Sequence, residues 1–393
     1  MNVSIKPKQN FRAKERRIGI DCLSLPAHFS GAANYIFYLT IHLLKAPRTV
    51  PLTIFCKPAH RPLFSEHLKK DDKIVVIPLK NRATQLFFYE FQLKQRLIKE
   101  KIAVFYATHY LTPPRSPRYF IINTFHDAGF VLFPHFYPWI KRLYFGQRMA
   151  TFLKRADVIT AVSQSTAVSL AQSFPAQAGK IRTVYSGVDH FSGQPTDASP
   201  VLPVRRKIAD RPYILAVNTL ESRKNIPFII QVFNELKTRF KMPHRLVIVG
   251  HPANGYRGIL KTIRESSFKS EIILTNFVST DELIAAYQRC DFFISASVYE
   301  GFGFTPFEAI FFGRPAFLYR NNAVAEFLGE HPYLFDHFDA AAWAEHIWRE
   351  SRRGFKNKIT FERITHLSWQ NTASQVIKIC TELMTTGEEK LVS

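Results

Sequence analysis

A chain of 393 residues that is 46% hydrophobic holds enough apolar side chain for two buried cores, so two domains are expected. Lysines and arginines number 53 against 31 acids, and the resulting formal charge of +22 calls for an anionic partner: a membrane surface, a nucleic acid or a polyanionic substrate. The cysteines, Cys22, Cys56, Cys290 and Cys380, are too few and too far apart for a disulfide framework or a structural zinc site, and no uncharged apolar run has the length of a membrane span.

Residues 1–15 read as a basic arm, with Lys6, Lys8, Arg12 and Lys14, and lack the apolar core of a signal peptide. The first strand is expected at Arg17-Ile-Gly-Ile-Asp-Cys, followed by a loop through Ser30-Gly31-Ala32-Ala33 and a helix from Tyr35 to Leu44. A strand, a glycine and a helix start can bind phosphate, although one glycine is thin support. Strand-like runs follow at Leu52–Cys56, Lys73–Ile77, Ile102–Tyr106, Tyr119–Phe125 and Asp157–Ser163, with helical patterns between several of them. Continuous apolar strands alternating with helices indicate parallel sheets covered on both faces. His126 and Asp127 close the run at Phe125, at the carboxyl end where open α/β sheets bind ligands. A histidine there is equally an ordinary core residue. Phe130 to Phe145 is densely aromatic and carries Lys141 and Arg142, which suits either a core or a membrane-interface surface.

The first domain is placed at residues 16–191, a polar linker at 192–210, and a second domain at 211–365. In that second domain strands are expected at Pro212–Val217, Arg245–Gly250, Ile272–Leu274, Asp291–Ser297 and Pro315–Tyr319. Ser279 with Glu282 makes a capping box for the helix that ends near Cys290. The loop after the first of these strands carries two adjacent cations, Arg223 and Lys224. The loop after Ser297 carries Glu300-Gly-Phe302-Gly303-Phe304-Thr305-Pro306-Phe-Glu308, with a helix expected from a Thr305 N-cap to near Gly313. Backbone N–H groups at such a helix start favour an anion such as a diphosphate. Glu308 has two readings: a ligand-binding carboxylate, or the reciprocal partner of Thr305 in a capping box.

Glu300 and Glu308, with seven residues between them that include Gly-Phe-Gly, resemble the Glu-x7-Glu motif of retaining glycosyltransferases of family 4, which have the GT-B fold. Arg223-Lys224-Asn225 resembles that family's basic loop, His126-Asp127 its histidine after the corresponding strand, and residues 366–393 its last helix, which packs back on the first domain. The resemblance implies two Rossmann-like doubly wound domains facing a cleft. It implies a donor nucleotide sugar, GDP- or UDP-linked, whose ribose is held by Glu308. Arg223, Lys224, Gly31 and the start of the Thr305 helix would hold its diphosphate, and Glu300, His126, Phe302, Gly303 and Phe304 would line the sugar. Asp127 would be an acceptor-side or catalytic neighbour. No metal and no cofactor beyond the donor are implied.

The chain departs from the family pattern at Ala32, Ala33, Asn218 and Ser222, all on the backbone approach to the phosphates, so weaker donor affinity is expected. Asn321 and Asn322 replace small residues before Glu326, which is therefore not counted in the site. The resemblance is closest to bacterial mannosyltransferases. With the basic charge, it implies a glycan or lipid-linked acceptor, cell-surface polysaccharide or lipopolysaccharide assembly, and a cytoplasmic enzyme touching the anionic inner face of the membrane. Two other classes compete: a non-catalytic relative that keeps the fold, and a nucleic-acid-binding protein. For the second, the basic residues are scattered and no recognition module is visible.

Overall fold

The computed structural model describes residues 12, 15–26, 31–137, 139–192, 211–276 and 278–389. Most of the basic arm, the loop at 27–30 and the linker from 193 to 210 lie outside the described residues. The chain divides into two compact units. The first comprises Met1–Leu132, Trp139–His190 and Leu367–Ser393, and the second Phe133–Pro138 and Phe191–His366.

The first unit is built on seven parallel strands: β1 (Arg17–Asp21), β2 (Leu52–Cys56), β3 (Lys73–Val76), β4 (Ile102–Ala107), β5 (Phe120–Phe125), β6 (Val158–Ala161) and β7 (Ile181–Thr183). Their order is β3-β2-β1-β4-β5-β6-β7, with β1 paired to β2 through Ile18↔Leu52 and β4 to β5 through Val104↔Phe120. Every residue of β2, β4 and β5 is buried, as strands covered on both faces require. Helices fill the connections: α1 (Gly31–Lys45), α2 (Pro62–Ser65), α3 (Arg82–Phe87), α4 (Leu93–Lys99), α5 (Gly129–Leu132), α6 (Trp139–Arg155) and α7 (Gln164–Ser173). A π turn at Phe88–Gln92 joins α3 to α4 into one helical stretch. Its start is fixed by Asn81, whose side chain accepts from Thr84 N while Thr84 Oγ1 accepts from Asn81 N.

The second unit holds six parallel strands: β8 (Tyr213–Val217), β9 (Arg245–Val249), β10 (Ile272–Leu274), β11 (Phe292–Ser295), β12 (Ala316–Tyr319) and β13 (Leu334–Phe335), in the order β10-β9-β8-β11-β12-β13. Its helices are α8 (Ile226–Phe240), α9 (Tyr256–Glu265), α10 (Thr280–Arg289), α11 (Phe304–Phe311), α12 (Asn322–Leu328) and α13 (Ala340–Arg352). The Ser279–Glu282 capping box forms as the sequence indicates. The two-residue β13 has no strand signature of its own and forms by pairing Leu334 with Leu318 on β12.

The last helix, α14 (Trp369–Glu389), belongs to the first unit. Asp189 Oδ1 accepts from Trp369 N at 2.9 Å, and Thr372 Oγ1 donates to Tyr185 O at 2.7 Å. The approach is so close that a Cβ on Gly187 would lie 2.3 Å from Trp369 N, so only glycine fits. Cys22, Cys56, Cys290 and Cys380 are all free and buried. Among the described residues no helix is long and apolar enough to cross a membrane.

Candidate active site

In both sheets strand order reverses beside the first strand of the unit, between β1 and β4 and between β8 and β11. Ligands of open α/β sheets bind outside the carboxyl ends of strands at such a point. In the second unit Arg223 and Lys224 follow β8 and Glu300 follows β11, whereas in the first unit His126 and Asp127 follow β5, one strand beyond β4.

In the second unit Glu300 follows β11 and is buried, at 7% exposure. One carboxylate oxygen accepts from Lys224 Nζ; the other accepts from Arg223 Nη1 at 3.0 Å. Arg223 Nη1 also donates to Tyr299 O at 2.8 Å, and its Nε lies 2.7 Å from Glu221 Oε1. Burial would raise the Glu300 carboxyl, but Lys224 and Arg223 outweigh it and hold the group down at about 2, so it is ionised. Burial and the neighbouring Arg223 lower Lys224, against the pull of Glu300 and Glu221. The two cations expected to grip a diphosphate are therefore already engaged by two carboxylates. An entering anion competes with Glu300 and Glu221 for them.

Glu308 is buried, at 3% exposure, on the first turns of α11. The capping-box reading does not hold. The N-cap is Gly303, at φ 94°, and makes no side-chain cap, so Thr305 and Pro306 are the second and third residues of the helix rather than its cap and first residue. The left-handed backbone at Gly303 lets the chain turn into the helix two residues earlier than a threonine cap would. Glu308 instead accepts from Tyr287 Oη at 2.7 Å. Burial, and then the adjacent Glu308 carboxylate, push Tyr287 well above the ordinary phenol range, which keeps it a donor. Phe302 is also buried, its ring among those of Phe304, Phe307 and Phe327 at 5.0, 5.4 and 5.3 Å. Its side chain is core.

Asn218, which follows β8, is 4% exposed, and neither its Oδ1 nor its Nδ2 has a hydrogen-bond partner among the described residues. An unpaired buried amide is costly, so a polar partner is expected at this strand end. Residues 133–137 come from between α5 and α6 but belong to the second unit. The Phe133 ring lies 5.0 Å from that of Tyr299, beside Glu300, and Asn254 Nδ2 donates to Phe136 O at 3.0 Å. The sequence gives no signal for that exchange.

In the first unit His126 follows β5 and its Nε2 donates to Thr108 O at 2.8 Å, which places its proton on Nε2. Thr108 Oγ1 in turn donates to Asp21 O at 2.5 Å, tying together the ends of β1, β4 and β5. Burial lowers His126, against the Thr108 carbonyl and Asp127, so the ring is neutral near pH 7. Its ring meets Tyr35 edge-on at 4.8 Å and lies 5.6 Å from that of His109, whose Nδ1 is buried without a partner among the described residues. His109 and Tyr35 were not anticipated; the signal for His109 was a second histidine just past the adjacent strand, β4. Asp127 Oδ1 accepts from Gly129 N at 2.9 Å and so starts α5. Gly31 is the exposed first residue of α1, so the expected glycine loop is replaced at this position by helix.

Known proteins are similar to this chain in sequence and in fold. The family model described as Glycosyltransferase Family 4 matches residues 29–190, and that described as Glycosyl transferases group 1 matches residues 202–350. O-antigen chain mannosyltransferase B of Escherichia coli is 25% identical over 291 residues, covering 70% of this chain and 73% of that protein. The serotype-specific mannosyltransferase WbdA of E. coli is 26% identical over 262 residues, 63% of this chain but only 31% of WbdA. Among solved structures, sucrose-phosphate synthase of Thermosynechococcus elongatus superposes with a TM-score of 0.71 at 18% identity, over 94% of this chain and 99% of that one. Anabaena HepE in complex with UDP-glucose does so with a TM-score of 0.62 at 16% identity, over 95% and 97%. The chain belongs to glycosyltransferase family 4 and is a glycosyltransferase of the GT-B fold.

Proposed function

We propose that the protein transfers a mannose-type hexose, with retention, from a GDP- or UDP-linked donor to a hydroxyl of a glycan or lipid-linked acceptor. The pathway is cell-surface polysaccharide or lipopolysaccharide assembly, at the cytoplasmic face of an anionic membrane. The observation that carries this reading is the buried ionised Glu300 between Lys224 and Arg223, with Glu308 eight residues on, at the strand-order reversal of the second unit. The similarity to mannosyltransferases, one of them of the O-antigen chain, supports mannose and O-antigen, and that to HepE, solved with UDP-glucose, supports a nucleotide-sugar donor.

In this reading Glu308 holds the ribose hydroxyls and Arg223, Lys224 and the start of α11 hold the diphosphate. The bond between the anomeric carbon and the diphosphate oxygen breaks, the acceptor oxygen bonds on the same face, and the acceptor's proton passes to the leaving phosphate. Arg223 and Lys224 stabilise the charge that grows on that phosphate, the work a divalent ion does elsewhere. Glu300 and neutral His126 orient the sugar, with Asp127 on the acceptor side.

Thermal unfolding with a panel of nucleotide sugars tests the donor. At about a hundred times its dissociation constant a bound donor adds roughly 2.7 kcal/mol. A rise confined to one nucleotide and its sugars, transfer undiminished by EDTA, and an α-linked product from an α-linked donor are expected. No rise with any nucleotide, or an inverted product, overturns the reading.

A further inference from the structure

We propose that one helical layer of the first unit, made of the stretch Arg82–Lys99 and of α5 and α6, is the surface that docks on an anionic lipid bilayer. Six of the eight exposed large hydrophobic residues described lie there: Phe87, Phe91, Val131, Leu132, Trp139 and Leu143. Phe91 is 67% exposed and Trp139 66%, which no core function explains. The inference deepens the membrane clause of the proposed function and rests on it for its purpose, while the binding itself can be measured without any transfer.

Topology puts these residues on one side. From β3 the chain crosses to β4, then to β5 and β6, moving in a single direction along the sheet, opposite to the steps from β1 to β2 and β3. Right-handed crossovers therefore place Arg82–Lys99, α5 and α6 on one sheet face, and α1 and α2 on the other. The contacts agree: Arg155 at the end of α6 pairs with Glu90 at 2.6 Å, and Tyr110 accepts from Arg82 Nη2 at 3.0 Å while its ring meets Phe145 at 4.7 Å.

Each stretch turns an apolar stripe outward. In α6 the exposed residues Trp139, Leu143, Gly146 and Ala150 recur at helical spacing, while Phe145, Met149, Phe152 and Leu153 face the core. Phe87 and Phe91, four apart, lean on each other at 5.0 Å while Phe88, Tyr89 and Leu93 are buried. Beside the stripes stand Arg82, Lys99 and Arg142, all exposed, and α6 has no acidic residue. Glu90, the acid of the first stretch, is occupied by Arg155. Apolar side chains that reach below the headgroups, ringed by cations that meet them, fit an anionic interface, and tryptophan is favoured at that depth. A second copy of a chain with net charge +22 would set these cations against themselves.

The test is sedimentation with vesicles of phosphatidylcholine alone or with 30% phosphatidylglycerol. The expected result is binding to the anionic vesicles only, weakened by about tenfold in Phe87→Ser/Phe91→Ser and in Trp139→Ser/Leu143→Ser, since each pair removes apolar area from the interface. Brominated lipid should quench tryptophan emission of the wild type, and Trp139→Phe should lose that quenching while still sedimenting. Nucleoside-diphosphate thermal shifts should be unchanged in every variant, because they report the second unit; their absence in the wild type would count against the donor reading and not against this surface. Wild-type binding that both double variants retain, no vesicle binding at all, or dimerisation that the double variants abolish would each overturn the proposal.

Discussion

Replacing Glu300 by Gln exposes the balance of charge in the second unit. The substitution keeps the shape and removes the anion from between Lys224 and Arg223, leaving two adjacent cations at a site where the Lys224 side chain is 10% and the Arg223 side chain 17% exposed. A carboxyl held at about 2 rather than 4.5 has its charged form favoured by about 3 kcal/mol. Breaking one partner out of a buried ion pair independently suggests a loss of about 3–5 kcal/mol. For a unit of this size a loss of about 3 kcal/mol lowers the melting temperature by about 10 °C. The expected outcome is that drop, followed through Trp343 and Trp348, both of which belong to the second unit. A nucleoside diphosphate should then raise the melting temperature of the variant more than that of the wild type, because the anion no longer competes with a carboxylate for the two cations. A drop under about 2 °C with an unaltered nucleotide shift would refute the reasoning: Glu300 would then not be what neutralises the pair.

Other consequences are simpler to read. His126 is lowered below its ordinary value in the fold, so its contribution to stability is whole above about pH 6.5 and is lost as pH falls through the folded value. Calorimetry of His126→Gln should show a flatter stability profile below pH 6.5 than the wild type, and an equal slope would refute the assignment. Glu300 follows the same sign lower down: its contribution is whole above 4.5 and falls away towards about 2. Gly187→Ala forces a Cβ to within 2.3 Å of Trp369 N and should cost at least about 1–3 kcal/mol by urea unfolding. Gly258→Ala, in α9 with nothing within 4 Å, should gain about 0.5–1 kcal/mol in the same assay. Tyr287→Phe leaves a Glu308 oxygen without its phenol donor and should lose about 1–3 kcal/mol; an unchanged melting curve would show that Glu308 does not depend on it.

The sequence by itself determined the alternation of apolar strands with helices, because residues buried on both faces of a parallel sheet must be continuously apolar, as at Ile102–Ala107 and Phe120–Phe125. It also located Glu300, Arg223, Lys224 and His126 in the segments that follow strands, and Glu308 on the helix after β11, since a segment's place after a strand is a matter of order along the chain. What it could not determine was who neutralises whom. Lys224 and Glu300 are 76 residues apart and meet only because β8 and β11 are neighbours in the sheet. Local rules also misplaced the helix start: Thr305-Pro306 has the composition of a cap, but the chain turns at Gly303, where a left-handed backbone is free of side-chain cost. The same limit hid β13, which exists by pairing with β12, and the exposure of Phe87, Phe91 and Trp139, which are apolar residues like any in the core until packing decides which face of each helix is covered.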